Sequence, residues 1–297
     1  MKKISILRSM DKFLSYLPFI EWMVRRWKVR SLYAVERQIL KGKHRAKSDR
    51  QSIIFFTVHK AGSSFIGSIL KKIVIEAGLT PVDLDGYFFN LGKGDAWEGG
   101  GRINRKIYYC PNGYSYGPFR SFNQGISNLD DYKIILVLRD PRDVIVSSYY
   151  SLYSHAFLIG EGKKKQKIRM NRREDKWRCG IDQFVINKLK SRPSYLDNYY
   201  KYYFSLIGKP NVLFLKYENM VTDFETWLDK LLKFLDLNTS PHLKDEIINL
   251  SDLEVGRDNI YKHKRQVLPG DHRLKLKKET IEILNSESQE ILELFDY

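Results

Sequence analysis

The run Lys133 to Leu138 (KIILVL) leads without a break into Arg139-Asp140-Pro141-Arg142-Asp143-Val144-Ile145-Val146-Ser147-Ser148. An apolar, β-branched run of this length reads as a strand buried on both faces. Asp140 is a natural N-cap and Pro141 a natural first helical residue, so a helix starts where the strand stops. Doubly buried strands that pass straight into helices belong to parallel sheets, because the helix supplies the crossover. The same joint occurs earlier. Ile53-Ile54-Phe55-Phe56 reads as a buried strand, and Ser63 to Ala77 as a helix with Ile66, Ile69, Leu70, Ile73, Val74 and Ala77 at helical spacing. Gly78 is its expected stop. The pattern predicts an α/β protein: a three-layer, P-loop-like fold with a central parallel sheet flanked by helices.

Weaker signals fill in the rest. Pro81 to Leu84 is expected as a second strand, Lys106 to Tyr109 as a third, and Val212 to Lys216 (VLFLK) as a further one. Thr222 and Glu225 have capping-box spacing before a helix lined by Phe224, Trp227, Leu228, Leu231, Leu232 and Leu235. Ser240-Pro241 opens another helix, and Glu279 to Phe295 has helical period. Residues 86–105 and 158–180 read as loops over a site. Residues 1–50 are expected as a basic N-terminal helical extension and 51–297 as a single α/β domain.

Charge narrows the partners. The chain carries 51 Lys+Arg against 35 Asp+Glu, a net +16. Residues 1–50 hold 14 basic and 4 acidic residues, and 161–180 hold 9 and 3, so these two stretches contain the whole excess. Such a field attracts nucleotides, nucleic acid, acidic lipid or acidic glycans, and for residues 1–50 it is equally a solvated surface. Phe13, Leu14, Leu17, Ile20, Val24 and Trp27 recur at helical spacing beside Arg25, Arg26, Lys28 and Arg30. This segment either lies peripherally on a membrane or a partner, or packs on the protein's own body. Lys12, Pro18 and Glu21 break the apolar run, which argues against a signal peptide. Cys110 and Cys179 have no CxxC or Cys/His company, which argues against a zinc site or disulfide framework and fits a cytoplasmic location.

Both strand–helix joints carry anion-binding residues. Thr57-Val58-His59-Lys60-Ala61-Gly62-Ser63-Ser64 offers free backbone N–H groups, a helix N-terminus, the Lys60 charge and two hydroxyls. A Walker A loop has Lys directly after Gly, whereas Lys60 precedes Gly62, so ATP- or GTP-type P-loops are disfavoured. Arg139 falls at the carboxyl end of its strand and Ser147 two turns into the helix, a second anion site. The alternative for Arg139 is an ion pair with Asp143 that fixes the helix start. Anion sites at two strand ends are not what nucleic-acid binding requires, and no nucleic-acid partner is expected.

These motifs resemble the PAPS-dependent sulfotransferase family (PAPS is 3′-phosphoadenosine-5′-phosphosulfate). The resemblance covers about residues 52–295. It implies that Lys60 contacts the 5′-phosphate and bridging oxygen, with Ala61, Gly62, Ser63, Ser64 and Phe65 as the cradle, and that Arg139 and Ser147 hold the 3′-phosphate. Phe214 to Met220 (FLKYENM) is similar to the strand that places Tyr217 near adenine, and Ser251 falls at a nucleotide-contacting position. Arg265, with Lys264, is similar to the closing signature before Gly270-Asp271, although Gln266 and Val267 replace its Lys and Gly. The implied activity is transfer of a sulfuryl group from PAPS to a hydroxyl or amine of a small-molecule or carbohydrate acceptor, releasing PAP, with no metal. The other reading is a non-catalytic nucleotide- or anionic-surface-binding protein. For the general base, Tyr116 occupies the position of the cytosolic members' His. Asp85 has the layout of the carbohydrate members' Glu, and His155 and His59 follow. The basic stretch with Lys163, Lys164, Lys165 and Lys167 suits an acidic glycan, whereas Tyr87, Phe88, Tyr108, Tyr109 and Tyr116 suit a hydrophobic or sugar ring.

Overall fold

The computed structural model describes residues 29–91, 109–123, 125–154, 177–191, 203–237, 239–250 and 268–297, and outside these ranges 23, 26–27, 167, 170–171, 174–175, 195–197 and 199. The strands are β1 (Ile53–Thr57), β2 (Thr80–Val82), β3 (Tyr114–Phe119), β4 (Lys133–Leu138) and β5 (Val212–Lys216). They form one sheet in the order β2-β3-β1-β4-β5, and every pairing is parallel. The helices of chief interest are α1 (Ala34–Leu40), α2 (Ser63–Glu76), α3 (Leu84–Asn90), α4 (Pro141–Ser154) and α5 (Ile181–Lys190). They are followed by α6 (Tyr217–Thr222), α7 (Phe224–Leu235), α8 (Pro241–Leu250), α9 (Asp271–Lys275), α10 (Lys278–Glu287) and α11 (Gln289–Phe295).

The two opening joints fold as their residues dictate. All five residues of β1 are buried, as expected for the central strand of a sheet covered on both faces. α2 buries Ile66, Ile69, Leu70, Ile73 and Val74, and ends at Gly78, whose φ of +79° only Gly adopts freely. Asp140 caps α4 by accepting the Arg142 backbone N–H at 2.8 Å. Phe56 packs among Phe119, Phe122 and Tyr203, with ring centroids 5.8, 5.2 and 6.3 Å away.

Several expectations are corrected. The second strand is Thr80–Val82, not Pro81 to Leu84, because Asp83 accepts the Gly86 N–H at 2.8 Å and starts α3 at Leu84. The first residues of the expected 86–105 loop are therefore helical. The third strand is Tyr114–Phe119 rather than Lys106 to Tyr109, of which only Tyr109 is described and lies outside any strand. β3 absorbs Gly117-Pro118 as a shift in register against β1: Ile54 pairs with Tyr116 and Phe56 with Phe119. Asp223, not Thr222, caps α7 through the Thr226 N–H at 3.2 Å, since Thr222 still belongs to α6. Within 158–180 the described residues Lys167, Met170, Trp177 and Arg178 are helical, not loop. Trp177 anchors there by stacking on Tyr149 at 4.4 Å and 9°.

From Val29 onward the N-terminal segment packs on the protein's own body. Val29 is 1% exposed. The buried Glu36 carboxylate of α1 accepts the Asp83 N–H at 2.8 Å, and the Tyr33 hydroxyl accepts from Asn90 Nδ2 at 2.9 Å. Burial pushes the Glu36 carboxyl above its usual range, only partly offset by the backbone N–H bonds it accepts. Burial, with the Asp83 charge, pushes Tyr33 up to about 12. Among the described residues no helix is long and apolar enough to cross a membrane.

Candidate active site

A fully parallel sheet gathers all its carboxyl ends along one crest, where ligands of such sheets bind. The β1–α2 connection enters that crest through two left-handed residues, Lys60 (φ +69°) and Gly62 (φ +73°). Left-handed backbone is uncommon at a non-Gly residue and marks a loop held by its surroundings. Arg139 does the holding: its Nη1 donates to the Lys60 carbonyl at 3.0 Å. At Gly62 a Cβ would lie 3.2 Å from both Tyr217 Cε2 and Met220 Cε, so Gly is required for closeness as well as for φ. Gly62 is also the N-cap of α2, and no side chain caps that helix. Its first N–H groups and the positive end of its dipole therefore face the crest. Ala61 and Ser63 are buried, Lys60 and Phe65 half-buried, and His59 and Ser64 exposed.

Arg139, 3% exposed, is the node between strand ends. Its guanidinium carbon lies 4.4 Å from the Tyr217 ring centroid, and its Nη2 is 3.7 Å from Asp143 Oδ2. The expected Arg139–Asp143 pair thus exists, but it is loose. Asp143 serves more partners than that. It accepts the Gly270 N–H at 2.7 Å and the His272 N–H at 3.0 Å, and His272 Nδ1 lies 2.7 Å from Oδ1. Burial alone would raise the Asp143 carboxyl, but the His272 bond, the Arg139 charge and the backbone N–H groups outweigh it and hold it below the usual carboxylate range. Glu218, next to Tyr217, accepts the Asp140 N–H at 3.0 Å, and burial raises its carboxyl. Two buried tyrosines close the crest from below. Tyr203 donates to the Thr57 carbonyl at 2.8 Å and Tyr199 to the Arg139 carbonyl at 2.9 Å.

The β3 end carries Arg120, a residue that sequence reasoning missed because the strand before it went unrecognised. Its Nε donates to Ser63 Oγ at 3.0 Å, and its backbone N–H donates to Asp85 Oδ2 at 3.0 Å. Asp85 is 5% exposed in the first turn of α3. Asp85, Arg120 and Ser63 are thus brought together at the start of α2. Tyr116 is not: it is 1% exposed, its ring packs between Tyr109 and Tyr114, and its hydroxyl accepts the Cys110 N–H at 2.9 Å. Ser147 is half-buried on α4. His155, Ser251, Lys264 and Arg265 lie outside the described residues, as do Lys163, Lys164 and Lys165. Asp143 and His272 were missed as a pair because they are 129 residues apart. The only local signal was the Gly-Asp-His turn at 270–272.

A fully parallel five-stranded sheet with two strand–helix joints meeting at its carboxyl ends defines the class as an α/β protein. The family model of the sulfotransferase domain matches residues 119–283, more than half of the chain. The chain belongs to that family. It is similar to mouse sulfotransferase 1 family member D1, 25% identical over 130 residues that make up 44% of this chain and 39% of the relative. It is also similar to luciferin sulfotransferase of Photinus pyralis, 30% identical over 130 residues, 43% of this chain and 30% of the relative. The matched stretches thus span well under two thirds of these relatives' own length. Among solved structures, a mouse sulfotransferase complexed with PAP is 16% identical with a TM-score of 0.55, covering 86% of this chain and 89% of that one. Retinol dehydratase in complex with androsterone and inactive cofactor PAP is 15% identical with a TM-score of 0.51, covering 88% and 85%. At these identities the likeness is one of fold.

Proposed function

We propose that the protein transfers a sulfuryl group from PAPS to a hydroxyl or amine of a small-molecule or carbohydrate acceptor and releases PAP. The observation that carries this reading is the uncapped α2 N-terminus, entered through left-handed Lys60 and Gly62 and fixed from below by Arg139. The missing Cβ at Gly62 and the helix without a side-chain cap fit a phosphate group. PAPS supplies the activated sulfuryl group and a phosphate leaving group.

This chain's residues then have assigned roles. Ala61, Gly62, Ser63, Ser64 and Phe65 bind the 5′ end through backbone N–H groups and hydroxyls. Lys60 holds positive charge where negative charge grows on the leaving oxygen, the kind of term that dominates such transfers. Arg139 fixes the Lys60 loop, stacks on Tyr217, and with Ser147 serves the 3′-phosphate. Ser251, Lys264 and Arg265 complete that grip. Asp85, tied to the donor loop through Arg120 and Ser63, is the proposed proton acceptor. Tyr116 is set aside, since burial raises its pKa and its hydroxyl is engaged in the core.

The test is calorimetric titration with PAP, ATP and ADP, without Mg²⁺ and at two salt concentrations. Micromolar PAP binding that is lost in Lys60→Ala, with no ATP binding, is the expected result. A folded protein that ignores PAP refutes the reading.

A further inference from the structure

The crest divides by strand order. Arg139, at the end of β4, contacts both Lys60 in the loop after β1 and Tyr217 at the end of β5, so the nucleotide side of the proposed transferase is the β1-β4-β5 side. The ends of β3 and β2, on the other side of Lys60, are left to the acceptor. What stands there is Arg120.

Arg120 is half-buried and is held at two points. Its Nε is fixed on Ser63 Oγ at 3.0 Å and its backbone N–H on Asp85 at 3.0 Å. Among the described residues, neither terminal nitrogen has a hydrogen-bond or ion-pair partner, and neither is sealed from solvent. The acidic neighbours are already committed. Asp83 is spent on the Gly86 N–H, and burial, its largest influence, raises its carboxyl, with the Arg120 charge acting in the other direction. Asp85 takes the Arg120 backbone N–H, and neither carboxylate is in ion-pair contact with the guanidinium. A planar fork that is anchored at Nε and open at both ends matches a carboxylate, sulfate or phosphate ester in bidentate fashion. We propose that the acceptor carries an anionic group and that Arg120 is the specificity-determining residue that binds it. This rests on the sulfotransferase reading and names the substrate class of the same site.

The experiment uses the full chain saturated with PAP, titrated calorimetrically with two matched pairs of probes. One pair is 4-hydroxybenzoate and its methyl ester, and the other is glucuronate and glucose. In at least one pair the anion is expected to bind about tenfold tighter or more, the scale of a charge-assisted bidentate contact. Inorganic sulfate should compete with that anion and not with its neutral partner. Arg120→Gln should erase the difference, and Arg120→Lys should retain part of it. Equal or undetectable binding within both pairs overturns the proposal, as does a preference that survives in Arg120→Gln. Should that variant fail to fold, the wild-type preference and the sulfate competition still decide. Failure of PAP itself to bind sinks the transferase reading and this one together, whereas PAP binding without an anion preference sinks only this one.

Discussion

Replacing Asp143 by Asn tests the buried node behind the crest. Asp143 is 1% exposed. Oδ1 faces two donors of His272, at 3.0 and 2.7 Å, while Oδ2 faces the Gly270 N–H at 2.7 Å and Arg139 at 3.7 Å. Asn can keep its oxygen on the His272 side, where it saves two bonds. Its NH₂ then points at the Gly270 N–H and at Arg139, donor against donors. One charge-assisted bond is lost, the half-buried Gly270 N–H is left unpaired, and Arg139 loses its counter-charge. Together these are worth about 3–5 kcal/mol. Urea unfolding at neutral pH, with the wild type alongside, measures the loss. The pH dependence gives a second handle. Asp143 titrates below the usual carboxylate range, so its contribution is complete above about pH 3.9 and is lost as pH falls through the lower folded value. The gap between the two proteins should therefore be flat near neutrality and close only in acid. A loss under about 1 kcal/mol, or a gap that persists unchanged in acid, would refute the reasoning.

Other changes should separate the parts of the site. Lys60→Ala should lower kcat by about 10²–10³ in a sulfuryl-transfer assay, the range for removing one charge-stabilising group; an unchanged kcat removes Lys60 from the mechanism. Gly62→Ala places a side chain at φ +73° and 3.2 Å from Tyr217 and Met220. It should cost about 1–2 kcal/mol of stability from backbone conformation and weaken PAP binding, read by denaturation and calorimetry on the same sample. Glu36→Gln addresses a carboxyl that burial raises. A group raised in the folded state contributes fully below its unfolded pKa of about 4.3 and loses that contribution as pH rises through the folded value. The Gln variant should therefore gain on the wild type in Tm between pH 4 and pH 8, and a pH-independent difference would contradict this. Asp83, also raised by burial, is relieved of the Glu36 charge in the Gln variant, which acts in the same direction.

How much of this could be read from the sequence depended on how local the cause was. β1, α2, β4 and α4 were legible because an apolar run, a cap and a helical period sit within a few residues of each other. β3 was not, because Gly117-Pro118 interrupts it and only pairing with β1 and β2 makes it a strand. α3 looked like loop because Gly86 falls in its first turn, and its existence rests on the Asp83 cap. At the site, Lys60, Gly62 and Arg139 were legible from the two joints. Arg120 was hidden with β3. The Asp143–His272 contact spans 129 residues, a distance no local pattern reports. Tyr116 shows the opposite error: its position in a motif suggested chemistry, and its strand register put it in the core.

The hydroxyls of Tyr203 and Tyr199 have an effect that reaches the ligand without touching it. A carbonyl left open at the crest would turn the negative end of its dipole toward whatever binds there. Thr57 and Arg139 give theirs to those two phenols, and Lys60 gives its carbonyl to the Arg139 guanidinium. With those lone pairs answered from beneath, the rim shows an incoming anion mainly N–H groups and cations. In the proposed anion site, affinity for negative charge is thus set partly by which backbone oxygens have been silenced, by aromatic residues buried out of reach of solvent.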